Sequence, residues 1–163
     1  MENTAYAKVL DEIAALHRVA GDNRYKVRAF EGAARVVRDL SDPIDDLVER
    51  HRIEEISGIG ESVATELQSL HDAGVSPRLL ELRERVDPRV LEWIDVPWLG
   101  TRRVQALYHD LGARTLDDIE RLIGEGKLDR HPAFGSSAVE KIKPEIERFR
   151  RVGHRRIPAP VAG

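Results

Sequence analysis

The sequence holds no cysteine among its 163 residues, which removes disulfides and cysteine-ligated zinc from consideration. Aromatic residues are scarce: three Phe, three Tyr and two Trp are too few for a row of base-stacking platforms along a single strand. Positive charge is not in excess. A formal net charge of −3 argues against the class of binder whose whole surface attracts polyanions. No stretch is long and apolar enough to span a bilayer, and nothing near Met1 has the pattern of a secretory signal, so no membrane partner is expected and a cytoplasmic protein is. Hydrophobic residues make up 41% of the chain, enough for a helical core in one domain or two small ones.

With little net charge to draw on, local segregation has to carry any polyanion-binding surface. Arg24, Lys26, Arg28, Arg35 and Arg38 stand against only Asp22 and Glu31, and the next stretch turns acidic with Asp39, Asp42, Asp45, Asp46 and Glu49. A second basic run comprises Lys141, Lys143, Arg148, Arg150, Arg151, Arg155 and Arg156. Such runs are either solvated helix faces or phosphate-facing surfaces.

Apolar residues recur at helical spacing through Tyr6, Val9, Ile13, Leu16 and Ala20, with Gly21 placed to end the helix. The period resumes at Tyr25, Phe30, Ala33, Ala34, Val37 and Leu40. Asp42 is then placed to cap a third helix, with Pro43 in its first turn. Ser76-Pro77 and Thr115 with Asp118 repeat this start chemistry, while Gly74, Gly112 and Gly126 supply stops. No segment alternates with period two, so the fold class is all-α. The expected organisation is a helical domain over 1–75, a second over 76–152, and a Pro-Ala tail or linker over 153–163.

Three segments align on one glycine: Ile56-Ser-Gly-Ile-Gly60, Val96-Pro-Trp-Leu-Gly100 and His131-Pro-Ala-Phe-Gly135. Four residues past that glycine stand Ala64, Val104 and Val139, and seven past it Leu67, Leu107 and Ile142, so each following helix buries the same face. The lead-in repeats too: Ile44-Asp-Asp-Leu-Val echoes Leu116-Asp-Asp-Ile-Glu. These are three helix-hairpin-helix repeats, one clear and two degenerate.

A hydrophobic-Gly-hydrophobic-Gly turn joins two helices with little side-chain bulk. The second helix then opens with unsatisfied N–H groups and a dipole that favours an anion. Contacts of this kind grip a nucleic-acid backbone without reading bases. The candidate DNA-binding residues of the first hairpin are Gly58, Ile59, Gly60 and Ser62, with Lys26 and Arg28 from the basic run. In the second hairpin Trp98 replaces the first glycine, and Gly100 is followed by Arg102 and Arg103, whose charge can compensate. The third offers Gly135, Ser136 and Ser137, where a purely structural cap and phosphate binding are equal readings.

Tyr25-Lys-Val-Arg-Ala-Phe-Glu-Gly-Ala-Ala34, then Gly58-Ile59-Gly60, then Leu99-Gly100 and Phe134-Gly135, resemble the N-terminal region of family X DNA polymerases of bacteria and archaea. The resemblance runs from the first helix to about Arg150. It implies a fold like the N-terminal domain of DNA polymerase beta and a partner in gapped, nicked or duplex DNA. By the same resemblance the pathway would be base excision repair, with a polymerase core or other repair proteins as partners and a nucleoid-associated location. It also implies a monovalent cation, K⁺ or Na⁺, on the backbone carbonyls of Glu54, Ile56 and Ile59 in the first hairpin and of Ile94, Val96 and Leu99 in the second.

The family's lyase chemistry needs a lysine amine to condense with a sugar aldehyde. The matching position here is Glu66, a second pocket lysine is matched by Ser62, and the pocket's aromatic residue by Phe30, while Lys26 matches a phosphate-binding lysine. Polymerase chemistry needs three metal-binding carboxylates on strands. Asp45-Asp46 and Asp117-Asp118 instead sit in first helical turns, where the dipole accounts for them. No catalytic residue, catalytic metal or organic cofactor is assigned. Two alternatives to a DNA-binding module remain: a residual deoxyribose-phosphate or abasic-site lyase on a displaced lysine such as Lys26 or Lys141, and a helical protein-interaction scaffold.

Overall fold

The computed structural model describes residues 1–152; the expected tail over 153–163, with Arg155 and Arg156, lies outside them. The described residues contain helices and no strand, and they divide into two units. The first takes in 1–18 and 22–85, and the second begins at Val86 and includes Val19–Gly21.

In the first unit, α1 (Asn3–Val19) buries Tyr6, Val9, Ile13 and Leu16 as their spacing requires. It stops where Gly21 turns left-handed (φ +76) and the Asp22 amide donates to the His17 carbonyl at 2.9 Å. Asn23 caps α2 (Arg24–Asp39) by accepting from the Tyr25 amide, and α2 buries Val27, Phe30, Ala33, Ala34 and Val37. The next helix, α3 (Ile44–Glu49), corrects the expected start: Pro43 lies just outside it and the Asp42 side chain does not cap it. The Ile44 amide donates instead to Asn3 Oδ1 at 2.8 Å, while Asn3 Nδ2 donates to the Asp42 carbonyl at 2.9 Å. An amide side chain from α1 meets the open helix end that a local carboxylate was expected to meet.

Asp45 does more than complement the α3 dipole. Its carboxylate takes the N-terminal ammonium at 2.8 Å, His71 Nδ1 at 3.0 Å and the Tyr6 hydroxyl. These donors, the ammonium first, hold its carboxyl well below the usual carboxylate range. Burial, with Asp45 behind it, raises the Tyr6 phenol. A single-turn 3₁₀ helix (Ile53–Glu55) then leads through the first hairpin into α4 (Glu61–Ala73), which ends at left-handed Gly74 (φ +71).

The Ser76 hydroxyl accepts from the Leu79 amide at 3.2 Å and starts α5 (Pro77–Arg85), as its sequence requires. The unit boundary nevertheless falls after Arg85 rather than after residue 75. The reason lies in α5, which packs on α4 and ties back to the N-terminal helices. Arg83 Nη2 reaches both Glu12 oxygens at 2.9 and 2.7 Å, and Arg85 takes both Asp22 oxygens at 3.0 and 2.9 Å.

The second unit opens with a 3₁₀ helix (Pro88–Asp95) packed on α6 (Gly100–Gln105), which continues into a π turn (Ala106–Asp110). Thr115 and Asp118 close the expected capping box on α7 (Leu116–Gly124). The packing partner of α7 is α8 (Ser136–Val152). Val90, Trp93, Leu99, Val104, Leu107, Ile119, Leu122 and Ile142 are among the buried residues of this second unit.

Candidate nucleic-acid interface

The sequence repeat is also a repeat of backbone hydrogen bonds. At the first position of each hairpin the amide reaches back three residues: Ile56 to Ile53 (3.1 Å), Val96 to Trp93 (3.1 Å) and His131 to Leu128 (3.0 Å). At the fourth position the amide closes onto the carbonyl of the first: Ile59 to Ile56 (3.1 Å), Leu99 to Val96 (3.0 Å) and Phe134 to His131 (3.0 Å). The buried apolar residues Ile59, Leu99 and Phe134 anchor the three turns.

In the first hairpin the two glycines have different reasons to be there. Gly58 is left-handed (φ +93), and a Cβ on it would come within 2.9 Å of Val36 Cγ2 on α2. Fold geometry alone demands glycine at that position. Gly60 has φ −91 and ψ −177, which any residue adopts, and a Cβ on it would meet nothing within 4 Å. Its carbonyl accepts the first α4 hydrogen bond, from Ala64 at 2.9 Å. The amides of Gly60, Glu61 and Ser62 have no acceptor among the described residues, and all three residues are exposed. The amide of Ile59, by contrast, is satisfied within the turn and its side chain is buried.

Charge around this edge is mixed. Glu54, Glu55 and Glu61 are exposed, with Arg52 Nε bonding Glu55 at 2.9 Å. On α2, Arg38 pairs with Asp11, while Asp22 and Glu31 are taken by Arg85 and Arg18. Lys26, Arg28 and Arg35 therefore stay exposed without an ion-pair partner among the described residues. Arg35 escaped the sequence reading as a site residue. It adjoins Val36, the residue packed against Gly58, and only this contact distinguishes it from any other residue of the basic run.

The other hairpins differ in how they turn. Trp98 is left-handed at φ +74, a conformation that strains any residue other than glycine, and Gly100 follows at φ +67. In the third hairpin Ala133 is not left-handed, and Gly135 (φ +83) takes the unusual conformation instead. Ser136 and Ser137 are exposed at the start of α8, and neither hydroxyl bonds a described residue. Arg102 is exposed and unpaired. Arg103 is not a free cation: its Nε donates to the Ala133 carbonyl at 2.8 Å, its Nη1 to the Trp98 carbonyl, and its guanidinium lies 5.8 Å from the Phe134 ring centre. It ties the second hairpin to the third.

Glu66, at the position matched to the lyase lysine, is 5% exposed and its carboxylate is engaged on both sides. Oε1 accepts from the Ser76 hydroxyl at 2.6 Å and the Arg78 amide at 3.1 Å, and Oε2 lies 3.8 Å from Arg78 Nε. The Arg78 guanidinium continues over the Phe30 ring at 5.2 Å and brings Nη1 to 3.4 Å from Nε2 of buried His17. Because arginine only donates, His17 Nε2 is the acceptor and its Nδ1–H donates to Asp22 at 2.8 Å. Burial pushes the His17 pKa down, against the opposing pull of Asp22. Where the resemblance implies a reactive amine, this chain has a buried carboxylate in an acid–guanidinium–imidazole network.

Residues 1–76 match the model of the helix-hairpin-helix domain. Over 139 residues, 83% of this chain, the sequence is 29% identical to the DNA polymerase/3′-5′ exonuclease PolX of Bacillus subtilis (strain 168), and it spans 23% of that protein's length. Residues 1–76 are thus similar to the helix-hairpin-helix domain, and over most of its length the chain resembles a family X DNA polymerase.

Proposed function

We propose that this chain is a DNA-binding module that grips backbone phosphates without sequence preference, acts at gapped or nicked DNA in repair, and has no polymerase activity of its own. The observation that carries the reading is the set of unpaired, exposed amides of Gly60, Glu61 and Ser62 at the N-terminus of α4, beside a glycine with open space where a Cβ would stand. Amides so placed donate to a phosphate oxygen while the helix dipole adds to the attraction. The helix-hairpin-helix match suggests DNA binding, and the likeness to PolX fits a repair role.

Each element then has one task. The α4 amides fix a phosphate at the hairpin. Lys26, Arg28 and Arg35 supply the charge that draws a second stretch of backbone, a need set by the carboxylates around the turn and the net charge of −3. Ser136 and Ser137 at α8, with Arg102, offer further donors on the second unit. Nothing in these contacts reads a base edge, so affinity is set by phosphate geometry and salt.

The carbonyl set proposed for K⁺ or Na⁺ fits the first hairpin. The Ile56 carbonyl accepts only the Ile59 amide, and those of Glu54 and Ile59 accept no hydrogen bond among the described residues. Glu54, Ile56 and Ile59 would hold such an ion, whose charge would draw a phosphate toward the hairpin. Ile94, Val96 and Leu99 are their counterparts in the second, closed by the same Leu99–Val96 bond.

Fluorescence anisotropy on a duplex with a short gap and a 5′-phosphate tests the reading. Binding is expected at low salt, independent of flanking sequence, with log affinity falling linearly with log salt by about 0.9 for each phosphate engaged. Replacing K⁺ by tetramethylammonium should weaken it further. No binding at low salt, or affinity indifferent to salt, overturns the reading. A covalent adduct on borohydride treatment of an abasic substrate would favour the lyase alternative instead.

A further inference from the structure

We propose that Trp98 is a nucleobase-stacking residue that gives the module its preference for DNA with an unpaired base, the class of ligand being a single-stranded gap or flap rather than an intact duplex. The inference rests on the DNA-binding reading above. It assigns to the second hairpin something that reading leaves out.

The two tryptophans are treated in opposite ways by the same unit. Trp93 is 4% exposed and belongs to the core, whereas Trp98 is 54% exposed. Trp98 stands at the hairpin position where the first repeat has Gly58, and it adopts the left-handed backbone (φ +74) that glycine takes without cost. An indole here neither fills the core nor relieves the turn. The surrounding structure nonetheless holds it in place: Arg103 grips the Trp98 carbonyl, and the same guanidinium is tied to Ala133 in the third hairpin. A strained residue whose backbone is fixed by its neighbours while its side chain faces solvent is a preorganised contact.

What the indole is offered to follows from its neighbours. Lys141 Nζ sits 4.5 Å from the centre of its ring, a cation on an electron-rich face. Arg102, exposed and unpaired, lies four residues on. An indole with a lysine over its ring and an exposed arginine four residues along the chain suits a ligand that is at once planar, aromatic and anionic, which describes a nucleotide with its base unstacked. Paired bases inside a duplex present no face to it. In an intact duplex the indole would be bulk beside the backbone, so the same side chain favours an opened strand and disfavours a closed one.

The variant that separates this from a structural role is Trp98→Gly. It places at the strained position the residue most at ease there, so the chain folds, and it restores the pattern of the first hairpin. Binding of the full chain to three probes of equal length is compared: intact duplex, duplex with a short single-stranded gap, and oligo-dT. For the native protein the gap is preferred over the duplex. The Trp98→Gly variant should lose about tenfold in affinity for the gap and for oligo-dT while binding the duplex as well or better, and Trp98→Phe should retain most of the preference. In the native protein oligo-dT should quench tryptophan fluorescence. In Trp98→Phe, which keeps only buried Trp93, binding should persist without that quenching. If Trp98→Gly keeps the native preference for the gap, or weakens all three probes alike, the stacking role is overturned while the backbone grip stands. If the native protein binds none of the probes, the stacking role falls together with the DNA-binding reading.

Discussion

Replacing the two glycines of the first hairpin by alanine separates folding from binding. At Gly58 a methyl group meets two obstacles. The left-handed φ of +93 costs an alanine about 1–2 kcal/mol, and its Cβ would stand 2.9 Å from a Val36 methyl, an overpacking of about 1–3 kcal/mol. Gly58→Ala should therefore lower stability by about 2–5 kcal/mol in urea unfolding. At Gly60 the backbone is ordinary and the space empty. The gain from a stiffer unfolded chain and the loss of a better N-cap residue offset each other to within about 1 kcal/mol. That methyl would project into the open space next to the Glu61 amide, where a phosphate must come close. Losing one charge-assisted hydrogen bond of about 1.5–3 kcal/mol corresponds to about 10- to 150-fold in affinity. Gly60→Ala should unfold like the native protein and bind gapped DNA at least tenfold more weakly at fixed salt. The reasoning is refuted if Gly60→Ala binds normally, or if Gly58→Ala is as stable as the native chain.

Acid sensitivity should begin at His17. Its folded pKa is lowered by burial, so the unfolded chain takes up a proton near pH 6.5 more readily than the folded one. The stability this gives is complete above about pH 6.5 and lost as pH falls below it. The lowered carboxyls of Asp45 and Asp22 contribute above about pH 4 and are lost only below. The urea midpoint should fall between pH 7 and pH 5 in the native protein and much less in His17→Gln; equal slopes would contradict this. Glu66→Ala should cost about 2–4 kcal/mol, since it strands the Ser76 hydroxyl and the Arg78 amide and guanidinium, while Glu66→Gln, which keeps an acceptor, should cost less; the comparison of unfolding midpoints decides. Arg103→Ala should remove about 1–3 kcal/mol from the second unit, seen as faster amide exchange at Phe134 and Leu99 with Ile59 unchanged; equal protection at all three would show that the tie is idle.

Backbone periodicity was legible in the sequence, and long-range partnership was not. The hairpin repeat, the Ser76 start and the Thr115–Asp118 box follow from local chemistry within a few residues, and the structure has all of them. Asn3 capping α3 from 41 residues away leaves no local trace, so the nearer Asp42 looked sufficient. His51 ends α3 in a left-handed turn (φ +54), with the Arg52 amide closing onto Leu47 at 2.9 Å; a stop without glycine has no sequence mark. Arg103 read as a free cation because charge is visible in a sequence and the carbonyls that occupy it are not. Glu66 was visible as a departure from the resemblance, but only the fold reveals that Ser76 and Arg78 enclose it.

The most direct test of the phosphate grip is to follow backbone amides by ¹H–¹⁵N NMR while 5′-phosphorylated gapped DNA is titrated into the protein. The amides of Gly60, Glu61 and Ser62 should move earliest and furthest, with the shifts reversed by added salt, while Ile59, already bonded to Ile56, moves little. DNA that binds and perturbs other surfaces while these three amides stay still would contradict the account.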